Sequence, residues 1–182
     1  KEGIKKAFQM GADKGILIKS ETESFDSFVV AKNLAEVIKD LNADIILFGK
    51  QSIDFDGHVL PKMTAEFLNL PSVNVVTKLE INGTDVFVER EIEGGKESLK
   101  TNLPVVIGTQ KGINSPRYPN LKSIMASKSK PIEEKTQIGE TAKSTLMEMK
   151  LPDAKGQGKI FSDGVANVSE IVRLLREEAK VI

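Results

Sequence analysis

The chain has 182 residues, enough for one α/β domain with a real core and some appended structure. Its 26 Lys plus Arg balance 26 Asp plus Glu, so it lacks the basic excess with which nucleic-acid binders neutralise phosphates. Cysteine is absent, which excludes disulfides, thiolate metal sites and a Cys nucleophile, and fits a reducing compartment. The longest apolar runs, such as 45–48 and 105–107, are far too short to span a bilayer, and no signal peptide opens the chain. The composition describes a soluble intracellular protein that is not an integral membrane protein.

The opening residues read as a helix already under way. Ile4, Ala7, Phe8 and Met10 or Ala12 are spaced to line one face, with no capping residue ahead of them. A doubly wound domain starts with a strand, so this pattern predicts a further N-terminal segment ahead of Lys1. Gly15-Ile16-Leu17-Ile18 is a short apolar run of the kind that forms a buried parallel strand. Ser24 or Asp26 then caps a helix whose apolar stripe is Val29, Leu34, Ala35, Ile38 and Leu41. Ile45-Ile46-Leu47-Phe48-Gly49 reads as the central strand. A polar loop over 50–57 leads into a helix over 60–68, where Pro61 is tolerated in the first turn. This alternation argues for a parallel sheet covered by helices on both faces.

The middle of the chain changes style. Runs over 75–81 and 86–92 flank Asn82-Gly83, a tight hairpin dipeptide. Gly94-Gly95 marks a second turn, after which 97–101 pairs as a third antiparallel strand. Glu89, Glu91 and Glu93 alternate, and a solvated outer face explains them better than a metal or acid/base site. After Pro104, Val105-Val106-Ile107-Gly108 returns to the main sheet as a buried strand. A short helix through Ile124, Met125 and Ala126 precedes a polar stretch, and 151–164 is punctuated by Pro and Gly. The last helix covers 168–179, with Ile171, Val172, Leu174 and Leu175 apolar and Ser169 as its start signal. The predicted class is α/β: a doubly wound, mostly parallel sheet with an antiparallel hairpin excursion and a C-terminal arm ending in a helix. The predicted domains are 1–135 and an extended arm over 136–182, which is expected to dock on a partner.

Two loops carry candidate chemistry. The first is Gly49-Lys50-Gln51-Ser52-Ile53-Asp54-Phe55-Asp56-Gly57-His58. Ligands of open α/β sheets bind beyond the carboxyl ends of strands, where helix N-termini offer free N–H groups and a positive dipole end to phosphate. Gly49 and Gly57 let a ligand approach the backbone, and Lys50 supplies a positive charge. Gln51, Ser52 and Asp54 offer hydrogen bonds to a base or ribose. By spacing alone, an ordinary polar surface loop is a comparable reading. Asp54-x-Asp56-Gly57 lacks the third acidic position and the bidentate Glu of a calcium loop. His58 is the only histidine and has neither a nucleophile nor an orienting partner. No metal site and no catalytic residue are expected. The second loop is Asn114-Ser115-Pro116-Arg117-Tyr118-Pro119-Asn120-Leu121, stiffened by two prolines and holding the only tyrosine. A rigid exposed loop with Arg, Tyr and Leu has the composition of an interaction hot spot, although a capped turn with Leu121 packed inward fits the same residues. Lys128, Lys130 and Lys135 lie in a charged exposed stretch that fits steering of acidic partners and, equally, a solvated surface.

Four motifs in series carry a resemblance. They are Met10-Gly11-Ala12-Asp13, Gly49-Lys50-Gln51-Ser52-Ile53-Asp54, Glu89-Arg90-Glu91-Ile92-Glu93-Gly94-Gly95, and Pro116-Arg117-Tyr118 followed by Ile124-Met125. In order and spacing they resemble the beta subunit of electron-transfer flavoproteins, from about residue 7 to 133. The resemblance implies a fold related to adenine-nucleotide-binding α/β domains and a heterodimer with an alpha subunit that holds the redox-active FAD. It implies a structural AMP in the beta subunit, with Gly49, Lys50, Gln51, Ser52, Asp54 and Asp56 in that site. The sequence departs from the family where His58-Val59-Leu60-Pro61 replaces the usual Asn-Gln-Thr-Gly, which removes a hydroxyl that helps hold phosphate. Electron-bifurcating relatives bind a second FAD there and share Asp-x-Asp followed by a Val near a Pro.

By the same resemblance the second loop is the recognition loop for dehydrogenases, with Leu121 as its anchor. Pro116, Arg117, Tyr118, Ile124 and Met125 are then the other partner-binding residues, with Pro119-Asn120 standing where family loops carry small polar residues. The implied role is an electron carrier subunit, not an enzyme. Its partners would be the alpha subunit, acyl-CoA or related dehydrogenases of fatty acid oxidation, and a flavoprotein-quinone oxidoreductase leading to the respiratory chain. The implied place is the cytoplasm of a bacterium or the mitochondrial matrix. A stress-type adenine-nucleotide sensor shares the fold, but Gly108-x-x-x-Gly112 runs straight into the Pro116 loop instead of a glycine-rich phosphate loop. A nucleotide-dependent ligase or hydrolase lacks a P-loop, a metal cluster and a nucleophile–base pair.

Overall fold

The computed structural model describes residues 1–20, 26–53, 55–139, 141–154, 156 and 158–182. The chain forms two compact units, Lys1–Leu146 and Met147–Ile182.

In the first unit, α1 (Glu2–Gln9) buries Phe8 and leads to β1 (Gly15–Lys19). α2 (Ser27–Lys39) starts at Asp26, whose carboxylate accepts the Phe28 N–H at 2.6 Å; Ser24, the other capping candidate, lies outside the described residues. β2 (Ile45–Gly49) and α3 (Leu60–Leu68) follow, with Pro61 in the first turn of α3. Then come β3 (Ser72–Asn82), β4 (Asp85–Ile92), β5 (Gly95–Asn102) and β6 (Val105–Thr109). α4 (Leu121–Ser127) and β7 (Ile132–Thr136) complete the regular structure of this unit.

The larger sheet has the order β2-β6-β3-β4-β5. Its β2, β6 and β3 run parallel, and β3, β4 and β5 form the antiparallel excursion. The expected α/β class with a mixed sheet is what forms. Two details differ. β2 is an edge strand, and β6 is the middle of the three parallel strands: Val105, Val106 and Ile107 are fully buried, whereas Leu47 of β2 is 61% exposed. Both strands are apolar pentads, and such a run does not encode on how many sides it will be paired. The hairpin turns also sit one residue from their predicted places. Asn82 pairs with Asp85, so Gly83-Thr84 turn the chain, and Ile92 pairs with Gly95, so Glu93-Gly94 do. Gly83 and Gly94 adopt φ of +63° and +80°, the conformation that glycine takes most readily.

β1 pairs in parallel with β7, from Gly15 opposite Ile132 to Lys19 opposite Thr136, in a separate two-stranded sheet. The sequence gives little sign of β7, because Glu133, Glu134 and Lys135 break the apolar alternation that announces a strand. Its hold on β1 is through main-chain hydrogen bonds, which no side-chain pattern reports.

The core alternates across β6. Val105 and Ile107 face one cluster with Val73, Val76, Val86 and Val88, and Val106 faces the other with Ile46 and Ala65. The segment after β7 is tied back to α2. Asp26 is 4% exposed, and its carboxylate accepts the N–H groups of Lys143 and Ser144 at 2.6 Å and the Ser144 hydroxyl at 2.9 Å. Burial opposes the charge, but these bonds, led by those from Ser144 and joined by the Phe28 N–H, outweigh it and bring the pKa down to about 2. A carboxyl whose pKa falls on folding contributes fully above its unfolded value and loses that contribution as pH drops through the folded one. The Lys143 and Ser144 amides are therefore expected to stay protected above pH 3.8 and to lose protection as pH falls toward about 2. Hydrogen exchange across that range reads the effect directly.

In the second unit a short 3-10 turn, Gly164–Asn167, leads into α5 (Val168–Glu177). Ser169 lies inside the first turn of α5 and is not its cap; Asn167 holds that position without a side-chain bond. No residue of α5 is buried, and Val168, Val172 and Leu175 stand exposed.

Candidate nucleotide site and docking loop

The parallel strands put two loops side by side. Gly49 at the end of β2 pairs with Thr109 at the end of β6, and Val76 of β3 pairs with Thr109 from the other side. The Lys50 N–H donates to the Thr109 carbonyl at 2.9 Å, the Thr109 hydroxyl to the Phe48 carbonyl at 2.9 Å, and the Gln110 N–H to the Val76 carbonyl at 2.8 Å. The loop after Gly49 and the loop after Thr109 thus leave from one fixed platform. A cleft of about 1040 Å³ opens there, lined by Leu47, Gly49, Gln110, Lys111, Asn114 and Pro116 among others. It lies beyond the carboxyl ends of the parallel strands, where open α/β sheets bind ligands.

In the first loop Gly49, Gln51, Ser52 and Asp56 are exposed and Lys50 is half-buried. The Gln51 amide donates to the Asp56 carboxylate, and the Asp56 N–H donates to the Ser52 carbonyl at 3.0 Å, so Gln51 and Ser52 are both tied to Asp56. Asp54 lies outside the described residues. The loop ends at α3, whose N-cap, Val59, offers no side-chain bond. The first-turn N–H groups of Leu60 and Lys62 therefore lack an intrahelical partner.

Asn74 belongs to neither loop nor to any of the four motifs. It is 4% exposed on β3, and its amide donates to the His58 carbonyl at 3.4 Å. Its Oδ1 has no partner among the described residues. That oxygen rests over Gly108 of β6, where a Cβ would stand 1.6 Å from it. The available signal was an Asn inside the apolar run Val73-Asn74-Val75-Val76, since a buried amide needs a reason to be there.

The second loop is braced at both ends. An Arg117 guanidinium N–H donates to the Met10 carbonyl at 2.7 Å, and the Asn120 side chain caps α4 by accepting the Ser123 N–H at 2.8 Å. Lys130 donates to the Ala12 carbonyl at 2.5 Å. The 10–13 motif and the second loop, far apart in sequence, are thus in contact. Pro116 and Arg117 are exposed and Ile124 is half-buried. Tyr118 is 95% exposed, Leu121 81% and Met125 67%. Leu121 and Met125 are four residues apart on α4 and so share one face. Among the described residues no group of His, Cys, Asp and Glu is placed to hold a metal ion, and no helix is long and apolar enough to cross a membrane.

Comparison with known proteins adds the family. The family described as "Electron transfer flavoprotein domain" matches residues 1–138. The "Electron transfer flavoprotein subunit beta" of Bacillus subtilis is 40% identical over 190 residues, covering 98% of this chain and 74% of that protein. The Syntrophomonas wolfei protein of the same description is 38% identical, covering 99% of this chain and 71% of its own length. The human one is 35% identical, covering 95% and 72%. With the four motifs in place on an α/β fold, the chain belongs to the electron-transfer flavoprotein family as one of its beta subunits.

Proposed function

We propose that this chain is the scaffolding half of a heterodimeric electron carrier, paired with an alpha subunit that holds FAD. The loop over 49–57 holds an adenine nucleotide, AMP, and the loop over 116–125 docks acyl-CoA or related dehydrogenases. Electrons taken up there leave through a flavoprotein-quinone oxidoreductase toward the respiratory chain. FAD supplies the redox chemistry, and the protein supplies position and surroundings.

The observation that carries the docking role is the exposed pair Leu121 and Met125 on a helix held by the Asn120 cap and the Arg117 brace. An apolar anchor on a rigid mount suits brief, one-point docking, because little order is lost on binding. The nucleotide role is supported by the fit of the residues. The uncapped start of α3 and the orphan Asn74 oxygen offer a donor set and an acceptor near the same loop. A Cβ at Gly57 would meet nothing within 4 Å, so its use is open approach and not packing. The Gln51, Ser52 and Asp56 side chains would hold the base and ribose, and Lys50 the phosphate. The unit Met147–Ile182, with no buried residue in α5, docks on the alpha subunit.

Co-expression with the companion alpha subunit is expected to give a stable yellow heterodimer. A colourless chain that purifies alone, carrying only an adenine nucleotide, would contradict the proposal and favour a nucleotide sensor.

A further inference from the structure

α2 presents two buried polar side chains, Asp26 and Asn33, 4% and 7% exposed. They are seven residues apart, which places them about two turns apart on one face of the helix. Asp26 divides its work. Oδ1 caps α2 through the Phe28 N–H, and Oδ2 accepts all three bonds from Lys143 and Ser144. Asn33 fixes its amide by donating to the Val29 carbonyl at 2.9 Å, and its oxygen accepts the Ile138 N–H at 2.7 Å. Immediately before this, the Gln137 N–H donates to the Lys19 carbonyl at 2.9 Å, extending the main-chain pairing of β1 with β7 by one step. Of the donors that 137–144 supplies, all but the Ser144 hydroxyl are main-chain N–H groups, so the grip is on backbone. The last gripped residue, Ser144, lies just before Leu146, where the first unit ends.

We propose that Asp26 and Asn33 form a clamp that shortens the tether between the two units. It thereby raises the effective concentration at which Met147–Ile182 meets the alpha subunit, with the first unit taken as the other contact of that heterodimer. The partner in this statement rests on the function proposed above. With the clamp closed, Met147 comes about three positions after the last fixed residue, Ser144; with it fully open, about ten after Gln137. Effective concentration falls roughly as the three-halves power of tether length, so opening the clamp lowers it about sixfold.

Asp26→Asn tests this cleanly, because asparagine caps a helix as well as aspartate does. It keeps one oxygen for the Phe28 N–H but turns an NH2 toward three donors. Ser144→Pro releases two of the same bonds without touching α2. Both variants, in the full chain co-expressed with the alpha subunit, are read by hydrogen exchange over 137–146 and by the dissociation constant of the heterodimer. The expected result is fast exchange at Lys143 and a dissociation constant raised about fivefold, since Asn33 still holds Ile138, with the Phe28 amide at the start of α2 still protected. Unchanged exchange in both variants overturns the clamp. Fast exchange with unchanged affinity overturns its tethering role. If even the natural chain fails to bind an alpha subunit, the companion reading falls, while exchange still decides whether the clamp exists.

Discussion

Replacing Leu121 by alanine is expected to slow reduction of the heterodimer by its dehydrogenase about thirtyfold, with cofactor content and melting temperature unchanged. The size follows from truncating a central anchor, which typically costs about 2 kcal/mol or more, and each 1.36 kcal/mol is tenfold in rate. The selectivity follows from where the side chain stands. Leu121 is 81% exposed in the first turn of α4, and the cap of that helix belongs to Asn120. Alanine is the better helix former, so the helix itself loses nothing. Met125, on the same face and 67% exposed, should show a smaller effect in the same direction. Stopped-flow reduction with a dehydrogenase, beside flavin content and thermal melting, separates the possibilities. Parallel loss of stability and rate would place Leu121 in the core of the working complex and remove it as the anchor.

Gly108→Ala is expected to destabilise the first unit by about 1–3 kcal/mol, the usual cost of overpacking a core. The added Cβ would lie 1.6 Å from Asn74 Oδ1, 2.6 Å from its Cγ and 3.3 Å from its Cα. The side chain could yield only by leaving a buried position, and the Cα belongs to a paired strand. Because the clash is with one residue, Asn74→Ala should relieve most of it, and a double-mutant cycle measures that coupling. The single change Asn74→Ala is expected to cost less than Gly108→Ala in nucleotide-free protein, since it loses a 3.4 Å bond to the His58 carbonyl but also removes an oxygen that has no partner among the described residues. It should weaken retention of the nucleotide. Chemical denaturation of the four proteins, with and without AMP, checks both halves. Additive effects would mean that Gly108 is kept for some reason other than Asn74.

Much of this arrangement is legible in the residues before any coordinates. The helices α2 and α3, the two hairpins to within a residue and the pentads of β2 and β6 follow from periodicity and turn chemistry alone, although of the stripe read on α2 only Ala35 is fully buried. The two loops are placed at strand ends by the same reading, but their composition fits an ordinary polar surface as well as a binding site. What escapes is set by long-range pairing. Whether Leu47 or Ile107 is central depends on which strands arrive beside them, and a run of apolar residues is silent on that. β7 is hidden because its ladder is made of main-chain groups and its side chains are mostly charged. Asp26 reads as a helix cap, but the second half of its carboxylate serves Ser144, more than a hundred residues away. Asn74 looks like a blemish in a strand until Gly108 is seen beneath it. Direction is the other gap: the Leu121 loop fits an inward or an outward leucine by composition, and the Arg117 brace to Met10 and the Asn120 cap of α4 fix how it is mounted.

The most direct test of the central claim is to purify the chain with its companion alpha subunit, release the bound nucleotides and count them by chromatography. One FAD and one AMP per heterodimer is the predicted result, and two FAD would instead place a second flavin in the 49–57 loop. A preparation with adenine nucleotide but no flavin, and no companion subunit, would contradict the account.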